Sequence, residues 1–546
     1  MSDTNSSFHV FLGITDVVTS QRLRHLCKPS IDIGDRGPRR TSLVLIAVGF
    51  ILLVIATVSV FWDTQYQIII FITRIAVGSK YYEIFARENA GTFLEIYVFN
   101  VTNAEAFLSG EDHKLRIEEV GPFTYQEYRK NEKFEIDEEA GVMRYIPRTR
   151  AAFRHEQSID DPACINITVP NPAMLAISSM VSSYPYWTKY AFTMLTNRLK
   201  SKPIINIDVH SLLWGFDEPL IALSNTLMPG WITFSKMGIM DRLYDQSSTP
   251  VLEVSSANLD KFQVKKSDGY AGLKVWNYGD VSKRTRCNTF VDTYEGYAYA
   301  PRMARNHTIR LYRSTFCRMF DLSYIGVTST EVSSEAFVYQ ISNNSYALNT
   351  NTECLCGQIN ECIEGISDIS PCLFGLTIAL SNAHFLYANP KLYDRIEGIR
   401  PDEMEHGSEF VIEPKVGAVI SGRFTIQVNV IVNDVDFYSQ VKPFSKMVVP
   451  LAYFKIIQPE LSEKDKTYIK ISSFYLPYIV HGMEALLFII GLTILVYGLH
   501  QMYQKWRCYS VQVNNEIRHD NLQVETPLMD EKYPISELKT ERQLKI

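Results

Sequence analysis

Two long apolar stretches near the ends of this 546-residue chain constrain its fold more than anything between them. Thr41 to Phe61 (TSLVLIAVGFILLVIATVSVF) runs for 21 residues without a charge. About 20 helical residues cross a hydrocarbon core about 30 Å thick. Tyr475 to Leu499 (YLPYIVHGMEALLFIIGLTILVYGL) carries only His481 and Glu484, both near its start. Core helices of soluble proteins seldom run so far uncharged, so both stretches are expected to span a membrane. Arg22, Arg24, Lys28, Arg36, Arg39 and Arg40 precede the first, Trp62-Asp63 follows it, and Lys505 and Arg507 follow the second. The positive-inside rule then makes 1–40 and 500–546 cytosolic tails and puts 62–474 on the other side. The stretch before the first span is too long for the charged leader of a cleavable signal peptide, so that span reads as an uncleaved anchor. Glu484 falls near the outer end of the second span, where a carboxylate reaches water, and is expected to be a boundary residue.

Cysteines and sequons fit this topology. Of nine cysteines, Cys27 and Cys508 lie in the tails near the spans and are candidates for palmitoylation. Cys164 stands alone, and Cys287, Cys317, Cys354, Cys356, Cys362 and Cys372 cluster in 287–372. An even cluster in an exported domain reads as disulfides, with fifteen connectivities open to six cysteines. Zinc is disfavoured, because Cys354-x-Cys356 is not the usual ligand spacing and no histidine lies between Cys354 and Cys372. Asn100, Asn166, Asn306 and Asn343 each open a glycosylation triplet in the exported part, whereas the triplet at Asn5 lies in the cytosolic tail.

Within 62–474, strand signals dominate. Phe93 to Val101 (FLEIYVFNV) is β-branched and aromatic on both faces, as a strand buried on both faces would be. Phe424 to Val432 (FTIQVNVIV) alternates, with Phe424, Ile426, Val428 and Val430 apolar and Thr425, Gln427 and Asn429 polar. That pattern predicts a half-buried antiparallel strand. Residues 171–215 break the pattern. Ala173–Ser182 reads as a helix, Tyr184-Pro185-Tyr186 interrupts it, and Trp187, Tyr190, Ala191, Met194 and Leu195 recur at helical spacing. Val209–Trp214 is a third helical candidate. The second helix ends in Arg198, Lys200 and Lys202, which by themselves read as a solvated helix terminus in favourable contact with the helix dipole. The polar tail from Tyr509 onward reads as disordered.

Function classes narrow by exclusion. Net charge is −6, and no Lys/Arg-rich run with interleaved aromatics occurs, so nucleic acid is not an expected partner. G-x-S-x-G, H-E-x-x-H, G-x-G-x-x-G and Walker A motifs are absent, so no enzyme, cofactor or metal is expected. His406 beside Glu403 and Glu405 is the nearest approach to a constellation, and Pro401–Glu409 reads as a charged surface loop.

Six segments set between the two spans resemble the scavenger receptor class B family. They are Tyr97-Val-Phe-Asn-Val-Thr-Asn-Ala, Glu119-Val-Gly-Pro-Phe-Thr-Tyr, Leu212-Leu-Trp-Gly, His384-Phe-Leu-Tyr-Ala-Asn-Pro, Glu403-Met-Glu-His and Glu413-Pro. The resemblance, which favours an insect-type member, implies an α+β fold. It has a mainly antiparallel β-barrel-like ectodomain, a helical bundle inserted at its apex and a hydrophobic tunnel, anchored by two transmembrane helices. It implies the pairs Cys287–Cys354, Cys317–Cys372 and Cys356–Cys362, the two long loops each gaining roughly 4 kcal/mol in the chain-entropy model. It makes Arg198, Lys200 and Lys202 candidates for electrostatic capture of anionic ligands. The implied function is uptake of lipids, fatty acids, sterols, carotenoids or lipoprotein particles at the plasma membrane, with homo-oligomers left open. A closed apolar conduit suits such cargo, since each CH₂ kept from water gains about 0.8 kcal/mol. Alternatives are lipid transport or escort in the endosomal or lysosomal membrane, and a sensory co-receptor for hydrophobic odorants. Glu525-Thr-Pro-Leu-Met resembles an acidic dileucine sorting signal, although the acidic residue stands one position too close to the leucine.

Overall fold

The computed structural model describes residues 37–523 except 248, 350–351 and 356–361. The chain separates into two compact units, one holding the terminal helices and the other Gln65–Tyr478.

In the first unit, helix Gly37–Phe61 meets helix Leu476–Gln523. Both are long and apolar enough to cross a membrane. Their approach is set by glycine: a Cβ on Gly49 would lie 2.6 Å from the Leu495 nitrogen and 2.9 Å from the Gly491 oxygen. Small residues allow such close helix contact in lipid. Two expectations change here. Glu484 is 7% exposed and is not a free boundary group. Its Oε1 accepts from Ser59 Oγ of the other helix at 2.9 Å, and its Oε2 lies 3.0 Å from His481 Nδ1. A carboxylate among apolar helices is stable only with such partners. The C-terminal helix also continues through Tyr509 to Gln523, where polarity alone suggested disorder. Cys508 lies on it as a disulfide cysteine, so acylation there requires a reduced thiol, the state a cytosolic compartment favours. Cys27, Asn5 and the Glu525 motif lie outside the described residues.

The second unit is built on one large sheet. Strands β1 (Asn89–Val101), β2 (Leu115–Asp137) and β3 (Val142–Phe153) form an antiparallel meander. β4 (Asn166–Pro170) and β5 (Ile204–Asp208) pair separately. β6 (Leu252–Ser255) and β7 (Val264–Ser267) extend the meander beyond β3. On the other flank lie β8 (Thr293–Tyr294), β9 (Ile309–Arg313), β10 (Arg318–Thr328) and β11 (Ala336–Ile341). The short strands β12 (Ser367–Asp368), β13 (Ile378–Ser381) and β14 (Ile396–Glu397) branch off the main path. β15 (Glu409–Glu413), β16 (Ala418–Val432) and β17 (Met447–Ile457) complete the set. The sheet runs β7-β6-β3-β2-β1-β17-β16-β15-β11-β10-β9-β8, and its ends meet through a bridge between Gln263 and Tyr294. The result is a nearly closed, barrel-like sheet, in which the β8–β9 and β14–β2 pairs are parallel.

Neither strand expectation survives intact. In β1, Leu94, Ile96 and Val98 are buried, while the opposite face is half-buried at Phe93, Glu95 and Tyr97 and buried only at Phe99 and Val101. In β16 both faces are buried, including Thr425, Gln427 and Asn429. Their polar groups are satisfied within the protein: Gln427 donates to Asn429 Oδ1 at 2.7 Å, Asn429 to Ser381 Oγ at 3.0 Å, and the His384 amide to Gln427 Oε1 at 2.8 Å. Alternation separates polar from apolar residues, and a polar face can be covered by protein instead of water.

Five helices occupy 172–243: α1 (Pro172–Val181), α2 (Tyr186–Leu199), α3 (Val209–Trp214), α4 (Pro219–Leu227) and α5 (Ile239–Leu243). The helical part therefore outruns 215, and β5 divides α2 from α3. Asn171 caps α1, its Oδ1 accepting from the Met174 amide at 3.2 Å, with Pro172 at the first helical position. Its amide donates to Glu218 Oε2 at 2.8 Å, tying α1 to the start of α4.

The structure bonds Cys287 to Cys354 and Cys317 to Cys372. Cys362 is also a disulfide cysteine, and Cys356 lies outside the described residues. Asn166, Asn306 and Asn343 are exposed, whereas Asn100 is half-buried in β1 with its Oδ1 accepting from the Thr168 amide at 2.8 Å.

Candidate functional site

A cavity of about 850 Å³ opens inside the second unit. β2, α5 with the loop after it, the end of β9, the 371–374 turn, β16 and β17 all contribute to its wall. Part of that wall is apolar, including Ile239, Ile369, Phe374, Val428 and Leu451. The remainder is polar, and one charged group in it is already organised. Arg129 donates through Nη2 to both oxygens of Glu295, at 2.9 and 3.0 Å, and the two side chains are 13% and 14% exposed. Tyr145 donates to the same carboxylate. Tyr297 lies under the Arg129 guanidinium, 4.4 Å from its ring centroid. Tyr244, another lining residue, and Thr92 donate to Glu127. Burial pushes the Tyr145 and Tyr244 hydroxyls well above their ordinary range, so both remain donors. Buried charge is costly unless paired and hydrogen-bonded, and the Arg129–Glu295 pair meets both conditions.

A second cluster lies apart from the cavity. Glu119 Oε2 is 3.0 Å from His384 Nε2, Tyr453 donates to Glu119 Oε1 at 2.8 Å, and the His384 and His406 rings stack with centroids 4.0 Å apart. His406 is therefore a buried residue and not part of a solvated loop, and its partners are not the exposed Glu403 and Glu405. Burial, then the neighbouring His384, pushes its imidazole down to about 4. Burial alone would raise Glu119, but hydrogen bonds from His384 and Tyr453 outweigh it and hold the carboxyl below its ordinary value.

The ligand atoms of Glu119, His384 and His406 lie within 4.8 Å of one another, the spacing of a metal site. The hydrogen bonds disfavour that use. The Arg400 amide donates to His384 Nδ1 and the Asp402 amide to His406 Nδ1, each at 3.1 Å. Both Nδ1 lone pairs are thus committed, and each neutral ring carries its proton on Nε2. Neither ring then offers a free lone pair to an ion, so the cluster fits a hydrogen-bonded structural lock better than a metal centre.

A model of the CD36 family matches residues 43–502 of the chain. The chain belongs to the CD36 family. Lysosome membrane protein 2 of Rattus norvegicus is 25% identical over 418 residues, covering 74% of this chain and 84% of that protein. Scavenger receptor class B member 1 of Bos taurus is 24% identical over 483 residues, covering 86% and 92%. The class B scavenger receptor resemblance read from the six segments is thereby borne out, and the chain is a membrane protein of a family that includes receptors.

In this CD36-family chain, Arg198, Lys200 and Lys202 are exposed at the end of α2, with Lys200 at φ 58° terminating the helix. None of the three lines the cavity. The apolar stripe on α2 also behaves unexpectedly: Trp187 is 76% exposed, and Tyr190, Met194 and Leu195 also face out. Helical spacing put these residues on one face, but that face is not packed. The cavity residues Arg129, Glu295 and Arg313 went unnoticed in the sequence, because they come from three separate elements and no local motif links them.

Proposed function

We propose that this CD36-family protein is a membrane receptor. It captures lipids or lipid-bearing particles on the surface of α2 and holds single hydrophobic molecules in the cavity on their way to the bilayer. The observation that carries the reading is the cavity, about 850 Å³, in a domain tethered by two spans. Its size falls within the roughly 300–1,000 Å³ typical of small-molecule sites. An apolar wall with a few organised polar groups is what an amphiphilic guest requires. For capture, α2 offers an exposed aromatic stripe followed by three exposed cations, a combination that suits lipid surfaces bearing negative charge. Nothing in this role calls for covalent chemistry.

The cell-surface reading and an endosomal or lysosomal one share this chemistry. The class B scavenger receptor relative favours the first, and the relative named as a lysosome membrane protein favours the second. A sensory co-receptor for hydrophobic odorants would use the same cavity.

Lipid mass spectrometry on the purified full-length chain, paired with labelled-lipid uptake in transfected cells, tests the proposal. Co-purifying lipid and uptake above control cells are the expected results. A protein free of lipid that drives no uptake overturns it.

A further inference from the structure

Four cationic side chains line the cavity, Arg129, Arg242, Lys274 and Arg313, against three carboxylates, Asp245, Asp268 and Glu295. Two of the cations are fully engaged. Arg129 is held by Glu295, and Arg242 by Asp241 and by Asp245 at 3.4 Å. Asp268 accepts from the Val251 amide at 2.9 Å. Lys274 is exposed, its ammonium 5.2 Å from the Tyr270 ring centroid.

Arg313 is different. It is partly buried, and among the described residues its guanidinium makes a single hydrogen bond, from Nη1 to the Tyr297 hydroxyl at 3.1 Å. The carboxylates near enough to act on it, Glu127 and Glu295, are already taken. Glu295 serves Arg129 and Tyr145, and Glu127 serves Tyr244 and Thr92. A guanidinium is a planar fork matched to a carboxylate. Holding it away from water without such a partner is costly. The apolar part of the same wall, with Ile369, Phe374, Val428 and Leu451, would take a hydrocarbon chain.

We propose that Arg313 is the specificity determinant of this cavity, selecting amphiphiles that carry a carboxylate over neutral lipids of equal chain length. The inference rests on the lipid-holding reading above and narrows it. Among fatty acids, sterols and carotenoids, it favours the acid. A carboxylate gains two charge-assisted hydrogen bonds from Arg313, with Tyr297 positioning the guanidinium. An ester or hydrocarbon leaves that group unpaired and forfeits the same interaction.

The test uses the full-length chain in detergent at pH 7.4, with oleic acid, methyl oleate and oleyl alcohol as probes and native mass spectrometry as the readout. Wild type is expected to prefer oleate over both neutral probes by at least about tenfold. Arg313→Met brings that ratio near one without weakening methyl oleate, and Arg313→Lys keeps most of it. An unchanged acid-to-ester ratio in Arg313→Met overturns the assignment while leaving lipid binding intact. If wild type binds none of the probes and carries no lipid, the lipid-holding reading fails and takes the proposal with it. A readout on wild type alone does not depend on the variant folding. An oleic acid analogue with a photoreactive diazirine beside its carboxyl is expected to label peptides bearing Tyr297 or Arg313. Labelling confined to peptides bearing Ile369, Phe374 or Leu451 overturns the proposal.

Discussion

Helices α1 and α2 are neighbours in the chain and opposite in fate: α1 (PAMLAISSMV) is apolar nearly all round, and α2 (YWTKYAFTMLTNRL) carries an apolar stripe among polar residues. Residues 172–179 of α1 are all buried, whereas α2 turns Tyr186, Trp187, Tyr190 and Met194 outward. The bond from Asn171 to Glu218 ties α1 to α4, the Ser179 hydroxyl of α1 accepts from the Asn433 amide just past β16 at 2.9 Å, and Tyr184-Pro185 lets α2 leave on a separate course. Helical periodicity decides which residues share a face. It does not decide what, if anything, covers that face. A covered apolar face contributes to stability, and an uncovered one is available for binding.

The largest expected effect breaks the covered side. Leu175 on α1 is 0% exposed, so Leu175→Ala removes packed methyl groups and leaves a cavity. The expected loss is about 2–5 kcal/mol, read as a lowered thermal or denaturant midpoint. A change under about 0.5 kcal/mol would mean that α1 is not packed as described.

The same contrast applies to charge, between buried His406 and the exposed cations of α2. The folded state holds His406 near 4, below its ordinary 6.5. A lowered imidazole value favours the neutral ring, so this contribution is fully present above about 6.5 and is lost as pH falls toward 4. Its full size is on the order of 3 kcal/mol. Glu413 acts in the opposite sense, because burial raises it to about 7 and its contribution fades as pH rises from 4.5 to 7. The wild-type profile therefore mixes the two, and a variant is needed to separate them. His406→Asn keeps an acceptor for the Asp402 amide and removes the titration. Its stability is expected to fall less than that of wild type between pH 7 and pH 4.5, measured by thermal unfolding. Parallel profiles would rule His406 out as the acid-sensitive group.

Much of this architecture was legible in the sequence because its signals are local and continuous. Each span is one long apolar run, broken only by His481 and Glu484 in the second, and the family resemblance was carried by six short segments. The helices near 171–215 announce themselves through Asn171-Pro172 and the Tyr184-Pro185 break. What was hidden depends on what lies on the far side of each residue. Gln427 and Asn429 look solvated until Ser381 and the His384 amide are placed over them. Glu484 looks like a boundary residue until Ser59 reaches it from the other span. His406 finds its partners in Glu119 and His384, both remote in sequence. The cavity was the least legible feature, since Arg129, Glu295 and Arg313 come from separate strands and a loop.

The uncovered side of the comparison predicts loss of binding with little loss of stability. Trp187→Ala on α2 removes a ring that the protein does not pack, so its unfolding midpoint is expected to stay within about 0.5 kcal/mol of wild type. Binding to anionic lipid vesicles should nonetheless weaken severalfold, measured by co-flotation of the full-length protein.

The basic residues sharpen the point further. Replacing Arg198, Lys200 and Lys202 together with Gln should leave stability unchanged, because all three are exposed. The same substitution should reduce vesicle binding most at low salt, where a Debye length of about 30 Å at 0.01 M lets three charges act together, and least near 1 M, where it shrinks to about 3 Å. The Trp187→Ala defect, being apolar in origin, should persist at high salt. If the triple variant binds anionic vesicles as wild type does at low salt, the cations of α2 are only a solvated helix end, and capture belongs to the aromatic stripe alone.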